Sequence, residues 1–429
     1  MNKNSFYMAT MGCRVNQYES QAISEALQRH GLVQAEDPGS AGNIYINSCA
    51  VTSRAVRDLK KTLRRLHAQA PDARIVVTGC AAQAFEKELQ DLKEVDLVVP
   101  QSRKINLLAS PFPETALDSR DLDWCISSYF RARPVVKVQD GCARGCTYCI
   151  VPRTRGAPRS RTPGAILQEI RRLLGRGYRE TVLCGINLSQ YGQDLNPRMD
   201  FWDLAAFLEH NLAPEWRDRM RLRISSLDPS QLHTRALEII SQSRMLCPHL
   251  HLALQSASPR ILSRMGRSHY HPSEVDAFVK GLESTLPLFA LGADVLVGFP
   301  GEEEADFRAT VDMIHFLPLS YAHVFTFSPR PGTAAAGFQG RISEREKNRR
   351  SARIKEILQQ KRNRFAGRLL KVNSLHLIME NSFKGMSQYY MECLIKEPSG
   401  ELRPGDQVTA APINIQGSKL LVEVLARCW

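Results

Sequence analysis

Short apolar runs alternate with amphipathic stretches over the first hundred residues. Ser5–Thr10, Asn43–Asn47, Arg74–Thr78 and Asp96–Val99 are apolar or β-branched and predict strands. Gln17–His30, Ser53–Ala68 and Gln83–Leu89 repeat their apolar positions at helical spacing. This βαβαβαβ order predicts a parallel sheet covered by helices. Residues 101–133, marked by Pro111 and Pro113, read as a linker. The alternation resumes at Pro134 with six strand candidates: Val135–Gln139, Thr181–Ile186, Arg221–Ser225, His249–Leu254, Gly292–Val297 and His323–Phe327. Helical stretches such as Pro163–Arg176, Phe201–Asn211, Ser273–Leu286 and Glu303–Phe316 separate them. Six βα units predict an open, partial TIM-type barrel. Arg341–Arg368 is a basic helical stretch with one positive face. Beyond it the pattern switches to short strands, Ser374–Met379, Gln388–Ile395, Gln407–Ala411 and Leu420–Leu425. These suit a small β-barrel of OB-like size, a common RNA-binding shape. The expected fold class is α/β in three domains, residues 3–112, 128–360 and 364–429.

Charge adds a partner class. A net charge of +13 favours a polyanion, with nucleic acid first. With 43% hydrophobic residues and no apolar run near the roughly 18 residues that span a bilayer, no membrane segment is expected. The start lacks a signal-peptide pattern, and the eleven cysteines are an odd number. Reduced thiols and a cytoplasmic location are the expectation.

Candidate chemistry concentrates in residues 139–150, where Cys142, Cys146 and Cys149 form a C-x3-C-x2-C loop. Such a loop can give thiolates to three irons of a four-iron cube and leave the fourth open to a small molecule. A structural zinc knuckle would want a fourth nearby Cys or His. Cys13, Cys49 and Cys80 each follow a predicted strand. The strand C-termini of a parallel sheet share one edge, so these thiols are expected to converge as a second ligand set. Cys125, Cys184 and Cys247 lack ligand-spaced partners and are assigned to packing. Arg153, Arg155, Arg159 and Arg161, with Pro152 and Pro158 between them, suit phosphate capture from a folded RNA, against the alternative of a solvated charged loop.

The cysteine loop, with Tyr148 before its last thiol, resembles the cluster motif of the radical S-adenosylmethionine (SAM) enzymes. Met11–Ser20, Asn47–Thr52 and Thr78–Ala81 resemble the three cysteine motifs of the methylthiotransferase N-terminal domain. The resemblance implies two [4Fe–4S] clusters, a radical one on Cys142, Cys146 and Cys149 and an auxiliary one on Cys13, Cys49 and Cys80. It implies SAM as methyl donor and radical source, with Tyr148, Gly185, Asn187, Ser225, Gln255 and Asp294 as cofactor contacts. Gly145, Ala253 and Ala257 depart from the family's usual residues, which bears on the pocket wall. The last segment resembles, weakly, the TRAM domain that closes such chains.

The Cys-Arg-Val-Asn-Gln form at residues 13–17 is similar to the branch acting on N6-threonylcarbamoyladenosine in tRNA. The implied reaction replaces the adenine C2–H at position 37, beside the anticodon, by C2–SCH3. Isopentenyladenosine or a ribosomal-protein aspartate is the alternative substrate. A non-catalytic RNA-binding protein with structural metal sites is the alternative of another class. Expected partners are tRNA and a flavodoxin- or ferredoxin-type reductant; the sulfur donor stays open, and the chain is expected to be a monomer.

Overall fold

Short apolar and β-branched runs build the first sheet. Its strands are β1 (Asn2–Thr10), β2 (Val33–Gln34), β3 (Ala41–Ser48), β4 (Arg74–Gly79) and β5 (Leu97–Pro100). All pair in parallel, in the order β2-β1-β3-β4-β5. The intervening helices are α1 (Arg14–Arg29), α2 (Ser53–Gln69), α3 (Cys80–Ala84) and α4 (Glu86–Gln90). The single helix expected at Gln83–Leu89 is thus two short ones, broken at Phe85. The Thr52 hydroxyl caps α2 by accepting the Ala55 N–H at 3.1 Å. Leu59, Leu63 and Leu66, at i, i+4 and i+7, then pack on Ile44, Ile46, Ile75 and Val77.

The computed structural model describes residues 2–113, 123–397 and 401–428. Part of the expected linker, residues 114–122, lies outside the described residues. Two compact units divide the chain. One holds Met1–Ser128, Asp140–Pro158 and Ser328–Ala336, and the other Tyr129–Gln139, Arg159–Phe327 and Gly337–Trp429.

The second unit carries six parallel strands in two three-stranded sheets. The first contains Val135–Lys137, Glu180–Cys184 and Arg221–Ile224; the second His249–Gln255, Ala290–Val297 and Leu319–Thr326. Each strand pairs with its sequence neighbour inside a sheet, and an isolated bridge, Leu227 to Leu252, links the two. This is the open barrel order expected. No helix among the described residues is long and apolar enough to cross a membrane.

The helix Glu344–Leu369 leads to a closed five-stranded barrel around Leu377, Met379, Cys393, Val408 and Leu420. The expected strand Gln388–Ile395 is interrupted, because Tyr390 takes φ +56° in a turn between Lys384–Ser387 and Glu392–Ile395. The expected positive face of the long helix is also reduced. Lys347, Arg349, Arg350 and Arg353 pair with glutamates, and Lys361 and Arg368 donate to carbonyls.

One buried carboxylate pins the closed barrel to the open one. Glu180, with its side chain 0% exposed, receives Arg223 at 2.7 Å, Arg221 at 2.5 Å and Arg133 at 3.5 Å. Arg221 and Arg223 also donate to the carbonyls of His376, Met386, Ser387 and Gln388. Burial raises the carboxyl's pKa, but Arg223, Arg221 and Arg133 outweigh it and hold the group well below the usual range. A depressed carboxylate contributes stability above its unfolded pKa of about 4.3 and loses it as pH falls through the folded value. Glu180→Gln should therefore cost about 3–5 kcal/mol at neutral pH, read by chemical denaturation, with the deficit shrinking in acid.

Candidate active site

Three sheet strands deliver the first thiol group. Cys13 is the N-cap of α1 after β1, Cys49 follows β3, and Cys80 opens α3 after β4. β1, β3 and β4 are neighbours, so the thiols share one sheet edge. Burial pushes the Cys49 thiol up to about 11; the Val51 N–H and Arg155 lower it, while Cys80 and Cys13 raise it. Gly12 makes room for them: at φ +98°, a Cβ there would sit 2.7 Å from Cys49 Cβ and 3.0 Å from its Sγ.

Side chains inside the motifs tie the strand ends together. Asn16 Nδ2 donates to the Met11 carbonyl at 2.8 Å and the Ser48 carbonyl at 2.9 Å. Asn47 Nδ2 donates to the Asn16 carbonyl at 2.9 Å, and the Ser48 hydroxyl to the Thr78 carbonyl at 2.5 Å. Each asparagine or serine thus fixes the backbone beside another strand's cysteine.

The second trio lies in the same compact unit. Cys142 is buried and Cys146 and Cys149 are partly exposed. The Arg144 N–H points at Cys142 Sγ at 3.4 Å, and the Cys149 N–H bonds the Cys146 carbonyl at 3.0 Å. The Ala335 N–H holds the loop from outside through the Thr147 carbonyl at 2.8 Å. Ile150 enters the hydrophobic cluster that contains Cys80 and Ala81, just before the helix α5 (Val151–Arg155).

Arg155 connects the two trios. Its guanidinium donates to Asp140 at 2.7 Å, Asn16 Oδ1 at 2.6 Å, and Glu19 at 3.1 and 3.2 Å. Lys104 Nζ adds a 2.7 Å bond to Glu19, and both of those side chains are 0% exposed. Burial opposes the Arg155 charge, but Asp140 and Glu19 outweigh it and keep the guanidinium protonated. One end of the fork holds the loop of Cys142–Cys149, and the other holds the helix that starts at Cys13.

The second unit has polar groups at its own strand ends. The Asn187 N–H donates to Gln139 Oε1 at 2.9 Å, and its Oδ1 accepts from the Ser189 N–H and hydroxyl. Ser225 Oγ is enclosed without a hydrogen-bond partner among the described residues, as a ligand-facing hydroxyl would be. Gln255 takes φ +63° at the end of its strand, a strained conformation for a residue with a Cβ. Asp294 accepts from His251 Nε2 at 3.0 Å; His251 Nδ1 meets the Tyr321 hydroxyl at 3.0 Å, which meets His249 Nε2 at 2.8 Å. With the carboxylate taking the Nε2 proton, Tyr321 donates to His251 and accepts from His249. Gly292 permits this layer, since a Cβ there would lie 2.3 Å from the Tyr321 ring. His323 completes a group whose ligand atoms lie within 4.8 Å of those of His251 and Asp294.

Comparison with known proteins agrees with this layout. Residues 5–100 match the family described as "Uncharacterized protein family UPF0004", and residues 136–314 match the Radical SAM superfamily. The chain is 33% identical over 397 residues to the threonylcarbamoyladenosine tRNA methylthiotransferase MtaB of Thermotoga maritima, covering 89% of each. It is 34% identical to the MtaB of Aquifex aeolicus, over 83% of this chain and 88% of that one. A tRNA-2-methylthio-N6-dimethylallyladenosine synthase of Clostridium botulinum is 33% identical over 82% and 81%. The chain belongs to the radical SAM methylthiotransferase family. Its fold is shared, at a TM-score of 0.59 and 13% identity, with the radical SAM methyltransferase TsrM of Kitasatospora setae, over 78% of this chain and 77% of that one.

Two expectations for the methylthiotransferase need correction. Arg155 and Arg161 are not open to RNA phosphate: their side chains are 1% and 9% exposed. Arg155 is spent on the network above, and Arg161 on Glu169 and the Lys137 carbonyl. Arg153 and Arg159 remain exposed. Sequence reasoning missed Glu19, Lys104, His251, Tyr321 and His323. Asn16 and Glu19 lie inside the Met11–Ser20 motif, and the alternation His249, His251 marks one strand face, so a signal exists for those.

Proposed function

We propose that this methylthiotransferase replaces the C2 hydrogen of N6-threonylcarbamoyladenosine at position 37 of tRNA by a methylthio group. The observation that carries the substrate is the near end-to-end match to two threonylcarbamoyladenosine tRNA enzymes. Soft thiolate sets without disulfides suit iron–sulfur clusters, and the glycine cradle beside Cys49 leaves room at the sheet edge. Cys142, Cys146 and Cys149 would hold one [4Fe–4S] cluster, and Cys13, Cys49 and Cys80 the other. Bound together with SAM, these groups would supply a carbon radical able to take an unactivated hydrogen, and an open iron able to hold the sulfur that replaces it.

The chain's own residues position and insulate. General acid–base help, typically worth 10²–10⁴-fold, does not activate a C2–H that is neither acidic nor beside a leaving group. Arg155 fixes the cysteine loop against α1, and the Asn16, Asn47 and Ser48 bonds hold the three strand ends in register. Tyr148, Gly185, Asn187, Ser225, Gln255 and Asp294 are assigned to SAM, with Ser225 Oγ free to bond it and His251 orienting the Asp294 carboxylate. Arg153 and Arg159 are assigned to RNA. The reductant is a flavodoxin- or ferredoxin-type protein, the chain works as a monomer, and the compartment is the cytoplasm. Nucleoside mass spectrometry of tRNA from a deletion strain tests the substrate. The 2-methylthio form of threonylcarbamoyladenosine should disappear and its precursor accumulate. Loss of the isopentenyl derivative instead would move the enzyme to the other tRNA branch.

A further inference from the structure

Helix α2 starts shortly after Cys49 and has two unlike faces. Leu59, Leu63 and Leu66 are buried. On the opposite side Arg57, Lys61 and Arg64, at i, i+4 and i+7, form an exposed stripe flanked by Arg54 and Arg65. Asp58 is the helix's one acidic residue, and Arg54 lies 3.6 Å from it. Among the described residues Arg57, Lys61, Arg64 and Arg65 make no ion pair. The contrast with Glu344–Leu369 is direct, since that helix spends most of its cations on glutamates and carbonyls. Like charges at i and i+4 destabilise a helix, so the stripe gives the fold nothing in return.

We infer that the exposed face of α2 docks the phosphate backbone of the tRNA substrate. The stripe from Arg54 to Arg65 is about 16 Å long at 1.5 Å per residue, enough to meet several phosphates. Guanidinium and ammonium groups without carboxylate partners keep their donors for such contacts. The face belongs to the compact unit that carries both thiol trios, so RNA held there is held by the cysteine-bearing unit itself. The inference rests on the tRNA reading above and adds where the backbone is gripped.

Equilibrium binding of tRNA from the deletion strain to the iron-loaded protein, over a range of salt concentrations, tests it. For Arg57→Gln/Lys61→Gln/Arg64→Gln, the slope of log affinity against log salt should become shallower by about 2–3. Affinity at low salt should fall at least about tenfold. Iron content and SAM cleavage without RNA should match wild type. Lys61→Glu alone, a milder change to the fold, should weaken binding in the same direction. Wild-type affinity and slope in both variants overturn the inference and leave the face to an acidic protein surface. No tRNA binding by the wild-type enzyme would instead remove the reading beneath it.

Discussion

Cys13→Ala is expected to halve the iron of the anaerobically reconstituted enzyme, from about eight to about four atoms per chain. Formation of 5′-deoxyadenosine from SAM should continue, and methylthiolated tRNA should vanish. The proposed division of labour follows the placing of the two thiol trios, one at three strand ends and one in a single loop. Cys142→Ala should also halve the iron, but abolish both products. Iron analysis and product chromatography on the same samples separate the two variants. Equal loss of SAM cleavage in both would mean that the trios act as one site, and the assignment would fall.

Arg155→Met is expected to destabilise the cysteine-bearing unit by about 3–5 kcal/mol. It removes the Arg155 bonds from Glu19, whose side chain is 0% exposed, and from the half-buried Asp140, while the Lys104–Glu19 pair stays. Glu19 is 0% exposed, so it cannot recover its lost partner from water. Hydrogen exchange of α1 and of the 140–158 segment should report the loss. Arg155→Lys, which keeps the charge but not the fork, should fall between. If Arg155→Met exchanged as slowly as wild type while weakening tRNA binding, the original RNA role for this arginine would return.

How far the sequence could be read depended on the range of the interaction. The strand Arg74–Gly79 is legible because its β-branched run, Ile75 to Thr78, carries its own preference for extended chain, and its boundary moves by one residue. The sequence predicts a continuous helix at Gln83–Leu89 and a continuous strand at Gln388–Ile395, because neither Phe85 nor Tyr390 is a residue type that announces a break. The arginines after the cysteine loop looked alike in sequence. Two of the four proved to be internal, since their carboxylate partners lie elsewhere in the chain.

By itself the sequence puts Cys142, Cys146 and Cys149 within the reach of one short loop, and its βα alternation brings Cys13, Cys49 and Cys80 to one sheet edge. Only the tertiary structure decided what surrounds them. Glu19 finds Lys104 at a separation of 85 residues and Arg155 at 136, and Glu180 finds Arg223 at 43. Such pairings are set by packing and by the cost of leaving a buried charge alone, neither of which is written in local residue spacing.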